Sequence, residues 1–585
     1  MLEERRHSPG KHSPGKRSPA EHTADAAPDD PASLAVAPVE TGAPGSPRWS
    51  PWRDPWTWGI ASLVLGAYLV ISLYRLWTLT PSSWDLGIYT EYVKQWADLH
   101  APIVDVRGPG FNLLGDHFQV IVALIAPFFR LFPTPATLLV AQALLTALSV
   151  FPVVAAAQAL LGPGAGAGRG AAAARAIGFA YGFSWGLQQM VNFDFHEIAF
   201  AVPLLAFSLS AFVRGRVRET IYWAVPMVLV KEDQGFTIAV IGLLMWLASV
   251  RGWGGAPAGS SPSARQGSPA APRLAASAAG GLFLACWGLG CSLLEITVII
   301  PHFNASHVYA YWNLGGVIGG NSGGFSAGGL LAQVGHAYPT KLETLVLLLL
   351  PTAFIALGSP VAVVVIPSIL LRFIATNPFY WSTDWHYNAT AMPILFIAAI
   401  EAMARWRAVG AGGRWAGENE VGAGGRWADQ GQPGAGEEPP AGERAGAVLD
   451  RWRSVTTAAG QHGAAMMAAL AVALAFQFPL SNLWNGQTYE IGPNVVADQD
   501  AMAVVPNGAS VTTTLNLLAP LAARCDTFWV GNSGNPDTQY IVFDGPNSGY
   551  SPAITDVPSF IKQLYPHADY QQVFQDGGVY VFKLR

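Results

Sequence analysis

HFQVIVALIAPFFRL, residues 117–131, decides how this chain is threaded. It is apolar for most of its fifteen residues, has a proline at 127, and is bounded by Asp116 and by its own Arg130. A bilayer crossing needs roughly 20 residues, so the stretch either just crosses or lies flat in the interface. The choice inverts everything downstream. Longer apolar runs follow at 135–160, 173–191, 197–213, 219–250, 274–300, 343–357, 360–376, 389–404 and 464–480, after a first one at 57–79. If 117–131 stays flat, Arg169, Arg175, Arg214, Arg216, Arg218, Arg251 and the Gly- and Arg-rich insert 405–463 fall on one side of the membrane. That side is also where the N-terminal basic residues lie. If it crosses, nearly all of these arginines lie outside. Basic residues mark the cytoplasmic side, so the stretch is read as interfacial.

The expected architecture is an all-α polytopic membrane protein of about eleven transmembrane helices, counting 219–250 as two short ones. It carries a small extracytoplasmic α/β domain at 481–585. Residues 1–55 read as a disordered cytoplasmic tail rich in Pro, Ser and charge, with no apolar core of a signal peptide. The core spans 56–404, with external loops at 80–134, 301–342 and 377–388. The insert 405–463 reads as disordered and cytoplasmic, and 464–480 as the last span. In the tail, GASVTTTLNLLAPLAARC reads as a strand and short helix, TQYIVFDG as a strand, DVPSFIKQLY as a helix, and YQQVFQDGGVYVFKL as a hairpin.

Composition agrees. Hydrophobic residues make up 51% of the chain and charged ones 12%, about half the charge of a soluble domain. The net charge of −5 gives no basic excess for nucleic acid. The three cysteines cannot make a disulfide framework, and no zinc-type spacing occurs.

The threading places every acid- or histidine-bearing motif on the external side: WDLG (84–87), GDHF (115–118), FDFHE (193–197), KED (231–233), IPHFNASH (300–307) and STDWHYN (382–388). Asp85 either caps the helix that follows or acts as a carboxylate base. Lys231, Glu232 and Asp233 interrupt an apolar run. Charges at mid-bilayer cost about 2.5–3.5 kcal/mol each on insertion scales, so these must reach the interface or a wet cavity. In the bland alternative Lys231 simply pairs its acidic neighbours. Asp194 and His196, with Glu232 and Asp233, offer oxygen and imidazole donors suited to Mg²⁺ or Mn²⁺. His117, Asp384 and His386 add further proton-handling or donor-binding groups. Arg372, at the external end of its span, pairs a phosphate or neutralises an acid. The Gly-rich loop 315–329 lacks a preceding strand and a following GK, and reads as a lid over substrate.

WDLGIYTEYVKQWADL, LLGDHFQVIVALIAPFFRLFPTPATLLVAQALL, NFDFHEIAFAVPLL, LVKEDQG and DWHYNATAMPILF, in this order, closely resemble a family of bacterial membrane proteins. That family is catalogued as a domain of unknown function and grouped with the GT-C glycosyltransferases. The resemblance covers roughly residues 57–405 and extends to the C-terminal domain. It implies transfer of a sugar from a polyprenyl-phosphate donor to an envelope glycan, lipid or protein acceptor at the outer face of the cell membrane. It also implies that Asp85, in the first external loop, is the acidic residue of the reaction, and that 117–131 is a helix lying along the membrane. Asp194, Glu232 and Asp233 fall on the later loops where that superfamily binds metal or donor phosphate. WDLG offers one acid in place of a paired motif. A transporter or a non-catalytic envelope-assembly protein is the competing reading, although the acids sit at one face and no internal repeat is evident.

Overall fold

Asp54 opens the first helix of the computed structural model, its carboxylate accepting the backbone N–H of Thr57 ahead of Pro55, a residue suited to the first turn. The structure describes residues 50–81, 83–162, 167–252, 274–312, 327–410, 441–550, 552 and 554–585. Nearly all of the expected N-terminal tail, most of the 315–329 loop and the middle of the 405–463 insert lie outside these residues.

Helix α1 (Pro55–Trp77) is followed by α2 (Asp85–Ala97), α3 (Ala126–Leu131), α4 (Ala136–Leu148) and α5 (Val150–Leu161). Then come α6 (Ala167–Gly182), α7 (Trp185–Asn192), α8 (Ile198–Val213), α9 (Val217–Ala224), α10 (Gln234–Val250) and α11 (Ala278–Leu294). The bundle is completed by α12 (Ile300–Phe303), α13 (Ala327–Gly335), α14 (Tyr338–Leu349), α15 (Ile366–Ile374), α16 (Ala391–Gly410) and α17 (Ala441–Ala475). Among the described residues, five helical segments are long and apolar enough to cross a membrane: Pro55–Trp77, Ala136–Leu161, Ala278–Phe303, His386–Ala408 and Ser454–Ala475. Four shorter apolar ones are Val120–Leu131, Ile198–Val213, Gln234–Val250 and Pro360–Ile374. The segment His386–Ala408 is 94% buried and forms the centre of the bundle, with α5, α8 and α17 packed around it.

The deciding stretch forms a 3-10 turn, Val120–Ile125, running into α3. Twelve helical residues span about 20 Å at 1.5–2.0 Å rise, short of a hydrocarbon core of about 30 Å. Ile121, Val122, Ile125 and Phe129 are buried against the protein, whereas Leu124, Phe128 and Leu131 are exposed on the other side.

The insert is corrected at both ends. Helix α16 continues to Gly410, and α17 begins at Ala441 instead of 464, because AGERAGAVLDRWRSVTTAAGQHGAAMM is rich in alanine and straight-chain helix formers. Its charges hide it from a search for apolar runs.

Helices α10 and α11 pack as a tight hairpin through small residues. A Cβ on Gly235 would fall on the Gly288 carbonyl, and one on Gly242 would press on the Gly281 carbonyl. Such close approach is the usual role of small residues where helices meet without a hydrophobic drive between them.

The C-terminal residues form a five-stranded sheet in the order β2-β1-β3-β5-β4. Its strands are β1 (Ser510–Thr513), β2 (Asp526–Trp529), β3 (Tyr540–Asp544), β4 (Tyr570–Asp576) and β5 (Val579–Leu584). The first three run parallel, and β5 is antiparallel to both β3 and β4. Helices α18 (Val495–Val504), α19 (Leu518–Ala522) and α20 (Val557–Leu564) accompany it. The expected final hairpin turns at Gly577 and Gly578, both at positive φ (55° and 83°), where a side chain would be strained. The sheet rests on α2. Gly87 lets Leu518 approach closely, Trp84 and Trp529 meet edge to face at 4.7 Å, and Lys94 donates to the Cys525 carbonyl at 2.5 Å.

Candidate active site

The acids and histidines of the distant motifs gather at the end of the bundle that carries the sheet. Asp85 is the first residue of α2, and its carboxylate does not cap that helix. It accepts the Ser83 hydroxyl at 2.7 Å and lies 3.4 Å from Nε2 of His196. Burial alone would raise its pKa, yet the hydrogen bond and charge of His196 hold it below the ordinary value. His196 stacks on His386 with ring centroids 3.7 Å apart, and Phe193 covers both rings. His386 is buried, with Lys231 and Arg372 lining the same cavity beside it. Its Nδ1 has no hydrogen-bond partner.

The KEDQ turn enters the same cluster between α9 and α10. Lys231 reaches Glu197, 3.0 Å away, in preference to its own neighbours Glu232 and Asp233. Glu197 also accepts the Tyr89 hydroxyl, and that tyrosine contacts Gln119 at 2.9 Å. Burial opposes ionisation of Glu197, but Lys231 and His196 hold it down at about 2. Glu232 is likewise buried and held at about 2, chiefly by His117, whose Nδ1 is 2.6 Å from it. The Phe118 backbone N–H and the Tyr309 hydroxyl also donate to Glu232. Asp233, half-buried on the cavity wall, is raised above the usual carboxylate range by desolvation, which Lys231 offsets only in part.

A cavity of about 170 Å³ opens beside these groups. His117, Lys231, Asp233, Arg372 and His386 line it together with Ile198, Phe236, Ile296 and Leu371. Tyr309, Tyr311, Tyr380 and Tyr387 complete the wall. Arg372 donates to the carbonyls of Tyr380 and Tyr387 and to Asn388 Oδ1, at 2.9–3.2 Å. Its Nη2 is buried with no partner, an N–H group left for something else.

Not every expected residue converges. Asp85 and His196 are in the cluster but behind His386, outside the cavity wall. Asp194 does not line the cavity. It takes a left-handed backbone, φ 61°, and its carbonyl accepts Gln142 at 2.6 Å while the other end of that amide accepts the His196 N–H. Its visible part is to fix the turn that aims His196. Asp384 is exposed and also off the wall. The set Asp194, His196, Glu232 and Asp233 does not close on one point, and among the described residues no three His, Cys, Asp or Glu side chains are arranged to hold a metal ion. Glu232 already accepts from His117, Phe118 and Tyr309, and the other three of the set do not converge on it. Glu197, Tyr89, Tyr309 and Tyr311 are the residues that motif reading passed over. Glu197 stands in the quoted FDFHE, but its place at the edge of an apolar run disguised it as the start of a helix.

Comparison with known proteins supplies a fold and a family. No curated protein matches this chain. Among solved structures, ArnT from Cupriavidus metallidurans, crystallised with undecaprenyl phosphate, shares the fold with a TM-score of 0.50 at 14% identity. The match covers 91% of this chain and 98% of that one. ArnT is a GT-C glycosyltransferase, so the helical bundle has a GT-C-like fold. Residues 75–416, more than half of the chain and including every residue of the cluster, match the family described as predicted membrane protein DUF2079, and the chain belongs to that family.

Proposed function

We propose that the protein is a membrane glycosyltransferase that moves a sugar from a polyprenyl-phosphate donor to an envelope acceptor at the external face. The observation that carries the reading is the buried Arg372 guanidinium. It brings an unpartnered N–H to a cavity that also holds Lys231 and has an apolar wall of Ile198, Phe236, Ile296 and Leu371. Cations and apolar side chains lining one cavity suit a lipid-linked phosphate. The shared fold with an enzyme crystallised on undecaprenyl phosphate supports the same ligand class.

In this reading the donor phosphate sits between Lys231 and Arg372, and the isoprenoid lies along α10, α11 and α15. The acceptor hydroxyl gives up its proton toward Asp85 by way of His386, whose imidazole lines the cavity and stacks on the His196 that contacts Asp85. The acceptor oxygen bonds to the anomeric carbon as the bond from that carbon to the phosphate oxygen breaks. The two cations meet the charge gathered on the leaving phosphate, so no step requires a divalent ion. His117, fixed on Glu232, and His386 border the reacting groups. The topology that goes with this reading has about eleven crossings, a cytoplasmic N-terminus and the C-terminal sheet outside.

The test is incubation of purified protein with labelled polyprenyl-phosphate sugars and an envelope extract. Wild type should transfer label. Arg372→Gln should lose donor binding, and Asp85→Asn should lose transfer while still binding donor. Undiminished transfer by Asp85→Asn would remove Asp85 from the chemistry. Absence of transfer from every donor would overturn the assignment.

A further inference from the structure

A second cavity, of about 400 Å³, shares no residue with the first. It lies where α2, α3 and the C-terminal sheet meet. Lys94 and His100 come from the end of α2, Arg130 from α3, and Arg524 from the segment between α19 and β2. Three full cations face two acids there, Asp98 and Asp526. Arg524 is clamped by the Val505 and Met502 carbonyls and Asn507, at 2.5–3.0 Å, and Lys94 by the Cys525 carbonyl and by Asp526, 3.8 Å away. Arg130 is the least engaged, with one N–H on the Ala97 carbonyl at 3.3 Å.

The surroundings of this polar cavity are unlike its walls. Leu99, between the lining residues Asp98 and His100, is 84% exposed. Phe128 and Leu131 flank the lining pair Phe129 and Arg130, and Phe132 precedes the lining Pro133; all three are exposed. A patch of large apolar side chains beside clustered cations is a poor surface for water. It matches the two ends of a phospholipid, on a helix too short to cross and placed along the bilayer surface.

We propose that this cavity is a socket for the phosphodiester headgroup of an anionic membrane phospholipid, with the acyl chains lying on the exposed face of α3. The headgroup phosphate meets Arg130 first, with Lys94 and Arg524 behind it. The lipid thereby ties α2, α3 and the C-terminal sheet to one leaflet. The proposal does not depend on the glycosyltransferase reading.

The experiment uses the full chain, purified in detergent and stripped of lipid, and reads retained lipid by native mass spectrometry. Probes are phosphatidylglycerol, phosphatidylcholine and inorganic phosphate. A cation at the membrane surface contributes about fivefold in affinity for anionic lipid. Wild type should therefore hold phosphatidylglycerol at least about fivefold more tightly than phosphatidylcholine, and Arg130→Gln should lose about that factor. Arg130→Lys should keep most of the binding. Lys562→Gln, exposed on α20 and outside both cavities, should bind phosphatidylglycerol as wild type does. Millimolar phosphate should not displace the lipid. The proposal is overturned by equal binding of the two lipids to wild type, by undiminished binding to Arg130→Gln, or by displacement with free phosphate or a soluble anionic glycan. Should Arg130→Gln fail to fold, the wild-type preference and the weakened retention expected of the surface variant Leu131→Gln decide the matter.

Discussion

Lys231 and Glu197 meet at 3.0 Å in a place where the carboxylate is only 1% exposed and the lysine 18%. Pairs of this kind are held more by the penalty of separation than by the gain of meeting. Lys231→Met leaves a sealed carboxylate without its direct cationic partner, with Tyr89 as its hydrogen-bond donor and His196 nearby, and should destabilise the protein by about 3–5 kcal/mol. Adding Glu197→Gln should return most of that loss, a non-additivity that thermal unfolding of the single and double variants would reveal. A second residue-scale prediction concerns Asp498. It is buried beside Asp544, the two carboxylates bridged by Asn516 at 3.2 and 2.8 Å. Burial and the Asp544 charge push its pKa up to about 8. An unfolded aspartate titrates near about 3.9, so between the two values the fold holds a proton that the unfolded chain has released. That contribution is whole below about pH 4 and is lost as pH rises through about 8. The melting temperature of wild type should therefore fall more steeply over this window than that of Asp498→Asn. Neither pairing was legible in the sequence. Asp85, His196, Lys231 and Arg372 stand out there because charge is scarce among apolar runs, but scarcity identifies candidates without naming partners. Lys231 looked equally able to pair Glu232 or Asp233, and only the fold brings it to Glu197.

At the scale of elements, the tight packing of α10 against α11 places the KEDQ turn, since Gly235 follows it directly. The Ser292 hydroxyl on α11 also donates to the Glu232 carbonyl, tying the turn to the partner helix. Gly235→Ala inserts a methyl where the Gly288 carbonyl stands, so the helices must part. Overpacking of this kind costs about 1–3 kcal/mol, and a lowered melting temperature should accompany a displaced Lys231. Ser249→Ala, at the far end of α10, should melt as wild type does. Apolar runs revealed most of these helices, because burial in lipid or protein leaves a continuous signal. They concealed two kinds of feature. Helix α17 begins in charged, alanine-rich sequence, and β2 is only four residues, Asp526–Trp529, too short for alternation to register. By contrast the β4–β5 hairpin was plain, since two glycines between alternating strands leave few alternatives.

Over the whole molecule, the bundle and the sheet act as one body around α2. The first turn of that helix carries Asp85 and receives Leu518 at Gly87, and its C-terminal end receives the Cys525 carbonyl at Lys94. Removal of residues 490–585 would uncover this face, and we expect the truncated chain to lose Asp85-dependent transfer and to be cleaved within 80–134 by added protease. Protease resistance equal to that of the full chain would show that α2 holds its place unaided. The threading through the bilayer was argued from a few arginines and one short stretch, and the brevity of Val120–Leu131 agrees with leaving that stretch uncrossed. The meeting of WDLG, FDFHE, KED and DWHYN was expected only as a convergence on one face. Their actual order, with His196 and His386 between Asp85 and the cavity, depends on tertiary packing that no local pattern encodes.

The clasp between Lys94 and Cys525 joins positions 431 residues apart. A ribosome therefore adds 431 further residues after Lys94 before α2 meets this support. Until then α2, with Asp85 at its start, lacks the contacts that Leu518 and Cys525 make to it. Synthesis order alone thus postpones this join until Cys525 has been added, and a product terminated before it reaches the bilayer without the clasp.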